Sequence, residues 1–489
     1  MIPSPKFSYR FELTHLITPS KEMMSSQNTT PLIESRSIDI VPRSERHGKV
    51  WHQGPFWFAG NFVLTTLVVG LTGPSMGLSL GFSILAVILG VGFGTFIMAF
   101  HANQGPIMGL AQMIQSRAQF GSKGVLLPFV ATVFVYIGFL VFDTILVTYG
   151  IGIFPDATWF WYPVIIAVSI LIAVVGHDLL HLVQRWMTYV LIIVFATLTI
   201  FSAIHFPNTL ADLDAAVHTA GWNSAGFLVQ FSLAAGYNIS YSVYVSDYTR
   251  YLPPNSSGPK LVGAVYVGAG FSAVWLMSLG ALLATYLPDA DPISSLREVG
   301  DLIFPGFGTI VVLVSSLALI SIMGVNAYGA MLTAASAIDG FKRVNPTVKL
   351  RVVSLIIVGL VTLIIALAIP NNYIDSFNSF VALMLYFLIP WSAVNLVDFY
   401  LIRRGEYVLD EIVKNDGIYG RWNWRGLAAY AAGFVAMIPF YSLSFYTGPV
   451  AERLSGADLA FAIGLPVSGF VYYFLARGRR TRNNEKLML

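Results

Sequence analysis

The chain has 489 residues, of which 56% are hydrophobic and only 11% charged, with a mean hydropathy of +0.70. A water-soluble protein would carry about a quarter charged residues, so composition excludes an ordinary soluble domain and implies hydrocarbon as the main solvent. A net charge of +3 is too small to suggest a nucleic-acid partner, and the lack of cysteine removes disulfides and thiolate metal sites.

Residues 1–49 are polar and read as a tail facing the cytoplasm, with no apolar run of signal-peptide length. The stretch MIPSPKFSYRFELTHLITPSKE has no periodic pattern, and a natural start at Met23 or Met24 is an expectation that N-terminal sequencing would check.

A helix crossing ~30 Å of acyl chain needs about 20 mostly apolar residues. Twelve such segments follow, at roughly 50–77, 81–100, 125–150, 158–176, 186–206, 226–248, 261–286, 306–335, 350–369, 377–402, 426–446 and 457–476. They are called spans one to twelve. The fold class is therefore an all-α polytopic membrane protein. Residues 101–124 read as a short amphipathic helix lying along the membrane.

Lysine and arginine placement sets the orientation. With the N-terminus in the cytoplasm and the chain alternating sides, 26 of the 28 Lys and Arg fall inside, leaving Arg297 and Arg453 outside. The outer loops hold acids instead, among them Asp156, Asp212, Asp214, Asp289, Asp291, Glu298 and Asp301. Both termini are expected in the cytoplasm, in a multi-pass protein of the plasma membrane.

Span six then ends at the cytoplasmic face in VYVSDYTRYLP, where Asp247 and Arg250 stand three apart. A basic residue there complements the helix dipole and snorkels to the headgroups. Topological anchoring with a local ion pair is one reading; a cytoplasmic gate whose charge pairs break on opening is the other. NLVDFYLIRR repeats the device at the end of span ten with Asp398, Arg403 and Arg404.

Two spans are interrupted near their middles, span one at WFAGNF (Gly60, Asn61) and span six at AAGYNIS (Gly236, Tyr237, Asn238). Unwound backbone within a bilayer must line a polar cavity or be buried in protein. Small residues also permit close helix packing, but two breaks five spans apart fit a transporter built of inverted repeats. HDLLH puts His177 and His181 four apart, with no evident third metal ligand; an interfacial helix leading to Arg185 is the expectation there.

WFAGNF in span one, VSDYTRYLP after span six, VNAYGAML in span eight and VDFYLIRRGEY after span ten together resemble the nucleobase–cation symporter-1 family, in its cytosine and purine permease branch. The resemblance runs from about residue 33 through the C-terminus. It implies a core of two five-helix inverted repeats (50–206 and 207–402), two peripheral helices (403–476) and a cytoplasmic tail (477–489). It implies uptake of a nucleobase-like heterocycle, of purine or cytosine type, coupled to protons or sodium, by a monomer without a cofactor. Hydantoin, allantoin or a pyridine vitamin are alternative cargoes. A membrane-embedded enzyme is the rival of another class, and no cluster of His, Asp and Glu at one depth supports it.

The resemblance also implies site residues. An aromatic of span three stacks on one face of the ring, which makes Tyr136 the candidate; Tyr237 or Asn238 of span six lies on the other. Offset stacking adds about 0.5–1.5 kcal/mol beyond burial, and the amides of Asn61, Asn238 and Asn326 suit a ring edge because each presents a donor and an acceptor. In sodium-coupled relatives, carbonyls of span one and hydroxyls of span eight hold the ion. Ala59 and Phe62 supply the carbonyls, but Ile322 and Met323 stand where the hydroxyls belong, with Ser321 one position away. Asp143 of span three offers another route, since an intramembrane carboxylate is costly and commonly relays protons. Protons are therefore favoured over sodium.

Overall fold

The structure, a computed structural model, describes residues 39–152, 156–175, 177–209, 221–288, 290–341 and 347–478. Each of the twelve expected segments holds helix. Seven helices among the described residues are long and apolar enough to cross a membrane, and the bent pair Val50–Asn61 and Leu64–Ser75 makes an eighth span. The remaining four are shorter: Thr158–Val175, Ser224–Ile239, Trp424–Met437 and Ala460–Ala476. Leu171, Ile193, Ile204, Val267 and Ile364 point outward from the bundle, as expected where the solvent is lipid.

The packing repeats when each of spans one to five is exchanged with the span five further on. Span six packs on span two as span one packs on span seven, and span four packs on span eight as span nine packs on span three. Spans three and eight pack on each other, as do four and nine. This internal echo is the inverted-repeat architecture, with spans eleven and twelve paired to one another outside it and span twelve resting on span ten.

Both expected breaks occur, but not at the glycines. Span one bends by 71° where Phe62 (φ −92°, ψ 67°) and Val63 (φ −135°, ψ 161°) leave helical geometry. Gly60 stays helical, and a Cβ there would meet nothing within 4 Å. In span six the α-helix runs through Gly236, Tyr237 and Asn238 to Ile239, becomes a 3₁₀ turn over Ser240–Val243, and restarts at Val245–Thr249. Gly236 is small for a packing reason: a Cβ would lie 2.8 Å from the carbonyl oxygen of Val381 on span ten.

Two further expectations are corrected. Residues 101–124 do not form one helix on the membrane surface. They make the short helices Gln104–Met108, Gln112–Gln115 and Arg117–Phe120, almost wholly buried, because their glutamines bond inward: Gln104 Nε2 donates to Asn395 Oδ1 at 2.6 Å and Gln119 Nε2 to Asp398 Oδ2 at 2.8 Å. The helix of span eleven stops at Met437 and passes into a 3₁₀ turn, Ile438–Phe440, that contains Pro439, a residue with no N–H to continue the helical ladder; the chain then turns through an antiparallel hairpin, Ser442–Leu443 with Tyr446–Thr447. Span five is entered by one continuous helix, His177–Thr209, and the side chains of His177, His181 and Arg185 lie outside the described residues, as do Met23, Met24, Asp212, Asp214 and Asp289.

The loop between spans seven and eight holds an unforeseen helix, Pro292–Ile303, capped by Asp291, whose Oδ1 accepts from Ile293 N at 2.9 Å and Ser294 N at 3.1 Å. Such caps satisfy helix N–H groups that have no partner inside the helix. Asp301 likewise accepts from Gly306 N and Gly308 N, each at 3.0 Å. The acids of this loop thus hold its shape in addition to biasing charge.

Candidate functional site

The breaks of spans one and six face each other across a polar cluster. Asn61, the last helical residue before the span-one break, donates through Nδ2 to Asn238 Oδ1 at 2.8 Å and to the carbonyl oxygen of Ala269 at 3.0 Å. Its Oδ1 accepts from Tyr241 Oη at 3.1 Å. Asn238 completes its amide by donating to Thr95 Oγ1 at 2.8 Å. Both amides are fully buried, and their groups are taken by protein. They tie spans one, two, six and seven together.

Thr66 extends the cluster beyond the break. Its hydroxyl donates to the carbonyl oxygen of Asn61 at 2.7 Å and lies 2.9 Å from Tyr237 Oη. Tyr237 is wedged edge-on against Phe139 at 5.5 Å. It is thereby held at its ring and at its hydroxyl.

Asn326 behaves differently. It is 8% exposed, and its amide hydrogen-bonds to no described residue. One turn further along the same face of span eight is Gly329, whose missing Cβ leaves room for Tyr136: a Cβ would lie 2.5 Å from Tyr136 Cζ. Tyr136 and Asn326 therefore line one interior face between spans three and eight. Tyr136 stacks on Tyr244, with centroids 5.4 Å apart and planes 20° apart. Tyr237 and Asn238, the pair expected on the other face of a bound ring, are engaged in the cluster around Asn61.

Of the cation candidates, Asp143 is tied to the break directly. Its Oδ1 accepts from Thr65 Oγ1 at 2.5 Å, and Thr65 is the second residue of the helix that restarts after Val63. The carbonyl oxygen of Ala59 accepts from Phe62 N at 3.3 Å. Ser321 is buried, and its Oγ has no hydrogen-bond partner among the described residues. Met323, two positions on and on another face of the helix, is fully buried and apolar, and Ile322 is half-buried.

At the end of span six, Asp247 Oδ1 accepts from Gln112 N at 2.7 Å, so this carboxylate holds the start of a short buried helix. Arg250 donates through Nε to the carbonyl oxygen of Asp247 at 3.2 Å and lies over the ring of Tyr251. The echo at span ten is denser. Asp398 accepts from Arg403 Nε at 3.0 Å, Tyr407 Oη at 2.9 Å, Gln119 Nε2 at 2.8 Å and Tyr472 Oη at 2.9 Å. Among the described residues no group of three or more His, Cys, Asp or Glu could hold a metal.

Sequence reasoning passed over Thr65, Thr66, Thr95, Trp57, Tyr241 and Tyr244. A signal existed for the last two: Tyr237, Tyr241, Tyr244 and Tyr248 recur at helical spacing along span six.

A family described as permeases for cytosine/purines, uracil, thiamine and allantoin matches residues 40–464. A relative in Bacillus subtilis (strain 168), provisionally assigned as a purine-cytosine permease, is 36% identical over 464 residues, spanning 93% of this chain and 99% of its own. The purine-cytosine permease fcyB of Emericella nidulans is 26% identical, over 91% of this chain and 88% of its own. Among solved structures, Mhp1, a nucleobase-cation-symport-1 family transporter in a closed conformation with bromovinylhydantoin bound, superposes with a TM-score of 0.68 at 18% identity, covering 90% of this chain and 94% of that one.

Proposed function

The chain belongs to the family of permeases for cytosine/purines, uracil, thiamine and allantoin, and from that premise we propose that it imports a purine- or cytosine-type heterocycle by cation-coupled alternating access. It is a transporter and not an enzyme. The observation that carries the substrate reading is the pairing of Tyr136 with Asn326. A flat ring needs an aromatic wall and a free amide, and of the three candidate amides Asn326 is the one that no described residue engages. Asn61 and Asn238, whose groups are already bonded, serve as ties between the two broken spans. Gly236 and Tyr237 shape the wall behind them.

The two repeats are taken as residues 50–206 and 207–402, with peripheral helices in 403–476. Charge placement supports cytoplasmic termini in the plasma membrane, which puts Asp247 and Arg250 at the inner mouth as gate residues. The transporting unit is proposed to be a monomer. Protons are proposed as the driving ion, with Asp143 as their carrier. The apolar side chains of Ile322 and Met323 support this, because a sodium ion near Ala59 and Phe62 would find no hydroxyl at those two positions.

The test is counterflow in proteoliposomes. Labelled adenine, hypoxanthine and cytosine are offered to vesicles loaded with the unlabelled compound, with hydantoin and allantoin as competitors. Transient accumulation, abolished when the internal pool is omitted, is expected of a carrier; its absence for every compound would refute the assignment.

A further inference from the structure

Tyr244 occupies an unusual place. Its ring stacks on Tyr136 of span three, 5.4 Å away with planes 20° apart, and meets Trp57 of span one at a tilt, 6.2 Å away with planes 30° apart. Stacking of the first kind is an arrangement that aromatic rings prefer. Rings from spans three, six and one are thus in contact, with Tyr244 touching both of the others.

The ring of Tyr244 is held by ring contacts. The hydroxyl of Tyr244 hydrogen-bonds to no described residue, and the residue is half-buried where Tyr136 and Trp57 are buried. Its backbone (φ −141°, ψ 6°) is the joint between the 3₁₀ turn Ser240–Val243 and the helix Val245–Thr249. By contrast, Tyr237 and Tyr241 on the same span each have a hydroxyl bonded into the cluster around Asn61.

We propose that Tyr244 is a tethered stand-in for the substrate, whose ring fills the aromatic slot between Tyr136 and Trp57 until an incoming heterocycle displaces it. This rests on the reading of Tyr136 as the stacking wall, and it adds Tyr244 as a specificity residue. Only a flat ring that stacks better than a phenol can take the slot. Displacement swings Tyr244 at the joint of span six, so loading is felt by the half of the span that carries Asp247.

The test uses the full chain in detergent with labelled adenine, hypoxanthine, cytosine and uracil as probes. Tyr244→Leu keeps bulk and loses the ring, so at least one probe should bind about threefold tighter or more once its competitor is gone. Tyr244→Phe keeps the ring and should match the unsubstituted protein. Independently, 3-fluorotyrosine at position 244 reports the ring currents of its neighbours by fluorine NMR. Tyr136→Ala without ligand, and saturating probe in the unsubstituted protein, should each move that resonance.

A Tyr244→Leu protein that binds no tighter, or binds none of the four probes, overturns the proposal, as does a fluorine resonance indifferent to Tyr136→Ala. Failure of the underlying reading has another signature, in which probe binding survives Tyr136→Ala undiminished.

Discussion

Asn61 Nδ2 and Asn238 Oδ1 meet at 2.8 Å across 177 residues of sequence, joining the last helical residue of broken span one to the last turn of the helix of span six. Both atoms are buried, so removing either partner strands the other at a cost of about 1–3 kcal/mol. The Asn61→Ala/Asn238→Ala double variant should melt close to the less stable single variant, because contacting residues are non-additive. Thermal unfolding in detergent reads this, and additive losses would show that the bond does not couple the breaks.

Tyr136→Ala and Asn326→Ala should each weaken heterocycle binding at least about tenfold, or roughly 1.4 kcal/mol, while the protein stays folded. Gly329→Ala should do the same indirectly, since its Cβ would come 2.5 Å from Tyr136 Cζ and tilt the ring. Equilibrium binding to monodisperse protein measures all three. Unchanged affinity in the two direct variants would remove them from the site.

Much of this was legible in the sequence, and the failures have physical causes. Twelve apolar segments and their charge asymmetry appear because hydrocarbon tolerates few alternatives. The breaks were placed at Gly60 and Gly236, but both glycines remain helical, and the backbone opens two residues later in span one and four later in span six. Glycine permits either a break or a close approach, and Gly236 serves the approach to Val381. Asn61 and Asn238 were expected to face a ligand; they face each other, a pairing between distant residues that one sequence does not display. Residues 101–124 were polar enough to suggest a surface helix, yet Asn395 and Asp398, nearly 300 positions away, draw those glutamines inward.

Asp398→Ala should be the most damaging substitution at the end of span ten. Asp398 and Arg403 are buried at 0% and 8% exposure, and stripping one partner from a buried pair costs about 3–5 kcal/mol. Three other donors, on Gln119, Tyr407 and Tyr472, would lose their acceptor as well. A large fall in melting temperature is expected, partly restored in Asp398→Ala/Arg403→Met. A variant as stable as the unsubstituted protein would mean that the network is solvated.

Asp247→Asn should change transport rate more than equilibrium affinity. Asp247 holds Gln112 N at 2.7 Å, so it couples the end of span six to the short buried helices. Weakening that hold shifts the balance of inward and outward states. Counterflow rates set beside binding constants distinguish the outcomes, and a rate equal to that of the unsubstituted protein would leave Asp247 a topological anchor.

Proton-driven accumulation is expected in preference to sodium-driven. Ile322 and Met323 carry no hydroxyl, so a sodium ion near Ala59 and Phe62 would miss oxygens that must replace its water. Asp143 is buried next to the span-one break. Its Oδ1 accepts from Thr65 at 2.5 Å, two residues beyond Val63 in the span-one break, so its protonation can be felt by the half of span one that follows the bend. A charged carboxylate inside a membrane is costly. Taking up a proton with substrate would neutralise it and lower the barrier to reorienting the loaded site. Vesicles given an inward pH gradient without sodium should therefore concentrate the heterocycle, whereas a sodium gradient at equal pH should not. Asp143→Asn should still exchange labelled for unlabelled substrate but fail to concentrate it. Accumulation that follows sodium and ignores the pH gradient would overturn proton coupling; accumulation that survives in Asp143→Asn would keep the proton and move its carrier elsewhere.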